Sequence, residues 1–97
     1  MKRQNTQHIG AVVAQFLREQ GLEKPMLEHR LIELWPKIMG QLVQKYTGTI
    51  EIKDGTLFVQ INSAALRQEL FIARYSLVER LNREVGAEVI TDIRLLG

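Results

Sequence analysis

The sequence predicts an α+β fold in the order α-α-β-β-α-β, and three observations carry that expectation. Apolar residues recur at steps of three and four through the first forty or so positions, switch to alternation between Ile50 and Ile61 around Asp54-Gly55, and return to helical spacing from Leu66. A last short apolar run, Val89 to Leu95, then closes the chain as a strand. Strand, helix, strand at the end favours a right-handed crossover, which sets the last strand parallel to Leu57–Ile61 if the two share a sheet. The expected result is a small three-stranded mixed sheet with helices packed on one face.

Each element has a local reason. Asn5 or Thr6 is placed to cap a first helix in which Ile9, Val12, Val13, Phe16 and Leu17 share a face, while Gln15, Arg18 and Glu19 lie on the wet side and Gly21 supplies a stop. Pro25 suits the first turn of a second helix, where no amide hydrogen is needed, and Leu27, Leu31, Leu34, Ile38 and Leu42 follow at steps of four and three. That series runs through Pro36, which removes a helical donor and disfavours helical backbone at Trp35, so a kink or break is expected there with Trp35 at the bend and in the core. In the hairpin, Ile50 and Ile52 alternate with Glu51 and Lys53, and Leu57, Val59 and Ile61 alternate with Phe58 and Gln60; Asp54-Gly55 between them tolerates the positive φ of a tight turn. Asn62 or Ser63 is the cap of the longest helix, which Gly86 ends and whose core stripe is Leu66, Leu70, Ala73, Leu77 and Leu81.

Composition narrows the function classes. With 97 residues, 45% apolar and 25% charged, the chain has the make-up of one globular domain spanning residues 1–97, with little volume left for a deep substrate cavity. Thirteen basic against eleven acidic residues leave a net charge of +2, which permits a nucleic-acid partner without announcing one. There is no cysteine, so disulfides, thiolate metal sites and thiol nucleophiles are excluded. Lys2 and Arg3 before Ile9–Leu17 faintly mimic a signal peptide, but Gln15 interrupts the run, Arg18 and Glu19 close it and no small-residue cleavage site follows. A cytoplasmic protein without membrane spans is expected.

Catalytic groups are sparse. His8 and His29 are the only histidines; His29 and Glu33 stand four apart and offer two metal ligands without a third, a pattern that a solvated helix face explains better. Ser63 lies between a strand and a helix, but the glycines of a nucleophile elbow are missing and capping is the simpler role. Neither GxxxxGK nor GxGxxG occurs, which disfavours a mononucleotide site. No enzyme, cofactor, metal or small-molecule substrate is expected.

The most informative set is Arg67, Phe71, Arg74 and Val78, at steps of four, three and four on the longest helix, with Tyr75 beside them. Guanidinium groups interleaved with rings suit single-stranded nucleic acid, where they meet phosphates and stack on bases. They suit a protein interface equally well. The plain alternative is that Phe71 and Val78 widen the core face while the arginines reach outward from its edge.

Three segments carry a family resemblance: Trp35-Pro36-Lys37-Ile38-Met39-Gly40, Asp54-Gly55-Thr56-Leu57-Phe58-Val59, and Asn62-Ser63-Ala64-Ala65-Leu66-Arg67-Gln68-Glu69-Leu70. With Leu81-Asn82 and Ile90-Thr91-Asp92-Ile93-Arg94, their order resembles the DciA-like (Dna[CI] antecedent) family over nearly the whole chain, most clearly from the second helix onward. The resemblance implies a K-homology-like fold and, in bacteria lacking a dedicated loader ATPase, help in placing the replicative DNA helicase on single-stranded DNA. It thus implies the helicase as a partner, with single-stranded DNA or RNA as a second one. The GxxG loop by which K-homology domains clamp a nucleic-acid backbone does not occur. A K-homology-like RNA-binding module and a protein-interaction domain without nucleic acid stand as the alternatives.

Overall fold

The computed structural model describes the backbone of residues 2–97 and the side chains from residue 8 onward. Helices α1 (Lys2–Glu19), α2 (Glu23–Met39) and α3 (Gln41–Tyr46) precede the hairpin β1 (Thr47–Lys53) and β2 (Thr56–Ile61); α4 (Ala64–Ile72), α5 (Arg74–Val85) and β3 (Asp92–Leu96) follow. The sheet has the order β1-β2-β3, with β1 antiparallel and β3 parallel to β2, Leu57 opposite Ile93 and Val59 opposite Leu95. This is the mixed three-stranded sheet expected, and the order of elements is consistent with a K-homology-like arrangement.

Period-two patterning decides which side of the sheet is covered. Leu57, Val59 and Ile61 are all fully buried, and they meet Leu31 and Trp35 of α2, Leu70 of α4, and Val78, Leu81 and Val85 of α5 in one core. The hairpin turn forms as expected, with positive φ at both Asp54 (50°) and Gly55 (78°). Gly48 sits where β1 is irregular against β2, and a Cβ there would collide with the Gln60 side chain, whose Oε1 accepts from Thr49 N–H at 3.3 Å.

Four expectations need correction. Of the kink or break expected at Trp35-Pro36, the break does not occur: the second helix continues to Met39 and ends at Gly40, whose φ of 87° ends the run. Pro36 removes one amide donor but leaves the neighbouring turns intact, and its carbonyl still accepts from Gly40 N–H at 3.0 Å. Trp35 is core as expected. Leu42 lands on α3 and is largely exposed.

The longest helix is in fact two, meeting at Ala73, whose φ of −89° and ψ of 3° lie in the bridge region. One straight helix from Ala64 to Val85 would be roughly 33 Å long, whereas the six-residue β2 spans about 20 Å, so the crossover must fold back to bring β3 alongside. Beyond the corner Leu81 stays in the core as expected, but Val78 is buried beside it and Leu77 is only half-buried at the edge of the core.

The first helix starts upstream of Asn5 and Thr6, whose side chains lie outside the described ones, and its apolar face is not core. Ile9, Val12, Val13 and Phe16 are all exposed, and only Leu17 of that set is half-buried. The final strand begins at Asp92, later than Val89, because Val89 and Ile90 are held by a side chain instead of a neighbouring strand.

That side chain is Asn82 of α5. Its Oδ1 accepts from Val89 N–H (3.0 Å) and Ile90 N–H (3.1 Å), and its Nδ2 donates to the Ile90 carbonyl at 2.7 Å. Thr91 N–H then donates to the Gly55 carbonyl at 2.7 Å, tying the same loop to the hairpin turn. At the other end, Trp35 Nε1 donates to Thr47 Oγ1 (3.2 Å), which donates to the Val43 carbonyl at 2.7 Å, so the indole is buried with its one donor satisfied.

Two stability measurements follow. Leu70→Ala, which empties a buried site between α4 and the sheet, is expected to cost about 2–5 kcal/mol in chemical denaturation. Asn82→Ala leaves two amides and a carbonyl of a half-buried loop without their partner and is expected to cost about 1–3 kcal/mol, with Asn82→Asp recovering only part of it because the donor to the Ile90 carbonyl is gone.

Candidate nucleic-acid and partner interface

The corner between α4 and α5 builds the candidate site. Ser63 starts α4: its backbone is extended, and its Oγ accepts from Leu66 N–H at 3.2 Å, a helix cap. Nine residues later the helix ends, leaving its last carbonyls without helical partners. The Phe71 carbonyl takes a hydrogen bond from Arg74 Nη1 at 2.9 Å, so the arginine caps the helix that precedes it.

This tether fixes the guanidinium between two aromatic neighbours. Its central carbon lies 3.9 Å from the Phe71 ring centroid and 4.4 Å from that of Tyr75, and Nη2 reaches the Tyr75 hydroxyl at 3.2 Å. Both rings remain accessible, at 54% for Phe71 and 64% for Tyr75. A guanidinium has five donors, and two are used here, so the cluster offers ring faces, spare N–H groups and a positive charge held in one geometry.

The five sequence-derived residues therefore separate. Phe71, Arg74 and Tyr75 come together at the surface. Arg67 is half-buried and serves the frame instead. Its Nη1 donates to the Ile61 carbonyl at 2.6 Å, fastening α4 to the end of β2, and its guanidinium lies beside Gly97. Val78 is 9% exposed and belongs to the core, so it leaves the stripe.

A shallow groove runs from the corner to the strand at the edge of the sheet, lined by Phe71, Arg74 and Tyr75 on one side and by Asp92, Arg94 and Leu96 on the other. Arg94 and Leu96 are exposed, and Asp92 Oδ1 accepts from Ile93 N–H at 2.8 Å. Sequence reasoning did not assign these strand residues. The signal was present in the alternation of Ile93 and Leu95 with Arg94, but nothing local says that β3 lies beside the corner.

Elsewhere, His29 Nε2 and Glu33 Oε1 are 3.3 Å apart on an exposed helix face, and among the described residues no group of three or more His, Asp or Glu side chains is arranged to hold a metal ion. No helix among them is long and apolar enough to cross a membrane.

Against known proteins, a family model described as "Dna[CI] antecedent, DciA" matches residues 8–95. A "UPF0232 protein" of Corynebacterium glutamicum is 24% identical over 89 residues, 92% of this chain and 50% of that one. One from Streptomyces avermitilis is 28% identical over 91 residues, again 92% and 50%. A third, from Mycolicibacterium smegmatis, carries the name "UPF0232 protein in recF-gyrB intergenic region" and is 23% identical over 91 residues, 94% and 47%. The chain thus spans about half the length of the curated relatives it matches.

The different employment of the two arginines is measurable. Arg67→Ala is expected to lower stability by about 1–2 kcal/mol by unpinning the end of β2, and Arg74→Ala, which loses only exposed contacts, by less than about 1 kcal/mol in the same denaturation assay.

Proposed function

The chain belongs to the DciA family, and on that premise we propose that it is a non-catalytic accessory to the replicative DNA helicase, working in the cytoplasm as a single binding domain that meets single-stranded DNA at the α4–α5 corner. The observation that carries this reading is the fixed Phe71, Arg74 and Tyr75 cluster on an exposed corner. Rings stack on bases whatever their identity, and a pinned guanidinium reaches phosphate without first losing rotamer freedom. Arg94 across the groove supplies a second positive charge along the same path. With a net charge of only +2 the affinity is modest and falls with added salt.

The same cluster has the composition of a protein hot spot, so contact with the helicase through it is the competing reading. Fluorescence anisotropy with a labelled oligonucleotide at low salt separates the two. Phe71→Ala and Tyr75→Ala are each expected to weaken single-stranded DNA binding by roughly 5- to 150-fold, the span of one lost base stack, and Arg74→Gln to flatten the dependence of log K on log salt by about 0.7. A ribo-oligonucleotide binding much better than its deoxy counterpart would transfer the site to RNA. If the purified chain neither retards single-stranded oligonucleotides nor associates with the cognate helicase after nuclease treatment, the reading is wrong.

A further inference from the structure

Among the described residues the helices pack on one face of the sheet only. Alternation puts Leu57, Val59 and Ile93 in the core, so Thr56, Phe58, Asp92 and Arg94 point to the opposite side, with Glu51 and Lys53 of β1 beside them. Cross-strand register arranges these side chains in rows: Glu51, Phe58 and Arg94 in one, Lys53, Thr56 and Asp92 in the next. Glu51, Lys53 and Arg94 are exposed, and Phe58 is half-buried between its neighbours. Among the described residues none of the four charged groups is in an ion pair, and the two of each row stand two strand spacings, roughly 10 Å, apart.

We propose that this open face is a self-association surface, on which a second copy of this chain lies face to face about a two-fold axis running along β2. The charge pattern points to that occupant. In both rows the sign on β1 is the reverse of the sign on β3: acid and base flank Phe58, base and acid flank Thr56. Rotation about β2 exchanges the β1 and β3 sides and keeps each row in place, so Glu51 meets Arg94 of the second copy and Lys53 meets its Asp92, each contact occurring twice. Phe58 lies on the axis and faces its own equivalent. Rotation about the row of Phe58 would instead set Glu51 on Glu51 and Arg94 on Arg94, so charge selects the first arrangement.

Nucleic acid is disfavoured as the occupant of this face, because its two acids balance its two bases and leave no net charge for phosphates. Stacked sheets lie about 10 Å apart with their strands nearly aligned, a gap that side chains of this length bridge. A three-stranded face covers less than the roughly 800 Å² per partner of a standard interface, and its ion pairs lie close to solvent. The dimer is therefore weak, reversible and sensitive to salt.

Association is measured without nucleic acid, because Asp92 and Arg94 also border the corner groove. In sedimentation equilibrium the unmodified chain should pass from monomer toward dimer as its concentration rises to about 1 mM, and about 0.5 M salt should reverse the shift. Arg94→Glu and Glu51→Arg each set like charges opposite one another at both contacts of the Phe58 row, and either chain alone should dimerise at least about 10-fold more weakly. Mixed in equal amounts, the two variant chains again set acid against base, and the mixed dimer should regain the parent's affinity. In a mixture of isotope-labelled and unlabelled parent chains, carbodiimide coupling should join Lys53 of one copy to Asp92 of the other. A monomer at every concentration, either variant dimerising as strongly as the parent, a mixture no stronger than its parts, or coupling of Lys53 to Asp92 only within one chain would each overturn the proposal.

Discussion

A strand that returns parallel to its neighbour must be carried back the length of the sheet, and in this chain that return is made by two helices whose combined length exceeds that of the strands they cross. Two parallel strands of five or six residues leave no room for a straight crossover of six turns, so the crossover folds at Ala73. The fold-back leaves helix-terminal carbonyls and the side chains of the corner facing outward. Arg74 satisfies one such carbonyl from its own side chain, and in doing so is held against Phe71 and Tyr75. The candidate site is therefore a by-product of sheet topology: without parallel pairing there would be no corner.

Two polar latches hold the frame on which the corner is built. Asn82 clasps the loop before β3, and Thr91 ties that loop to the hairpin turn, so the end of α5, the turn and the edge strand are locked as one unit. At the opposite side Trp35 and Thr47 join α2 to the first strand. The family-resembling segments are the same pieces: Leu81-Asn82 meets Ile90-Thr91, and Asp54-Gly55 meets Thr91. Segments far apart in the chain thus share a cause, because each supplies one half of a hydrogen-bonded joint. In a fold of this size a few such joints matter, since the apolar surface available for burial is small.

Helix α1 obeys different rules. It has the periodicity of a core helix, but the sheet face is already covered by α2, α4 and α5, whose residues fill the core. Its local amphipathicity is real, yet only Leu17 of its apolar set is half-buried and the rest stays exposed.

Elements with a local cause could be read from the residues without coordinates: the alternation and Asp54-Gly55 that make the hairpin, Ser63 and Gly86 that bound the crossover, and the burial of Leu31, Trp35, Leu70 and Leu81. The family likeness and the chemistry of Phe71, Arg74 and Tyr75 were legible in the same way. Packing had to settle the corner at Ala73, the core role of Val78, the fastening of Arg67 to β2, the exposure of α1 and the nearness of Arg94 to the aromatic pair. The reason is physical. Helical periodicity is the same for a straight helix and for two helices meeting at a corner, and an apolar stripe reads alike whether its partner lies in the same molecule or outside it. Such matters are fixed by the length and direction of the sheet against which the helices must fit.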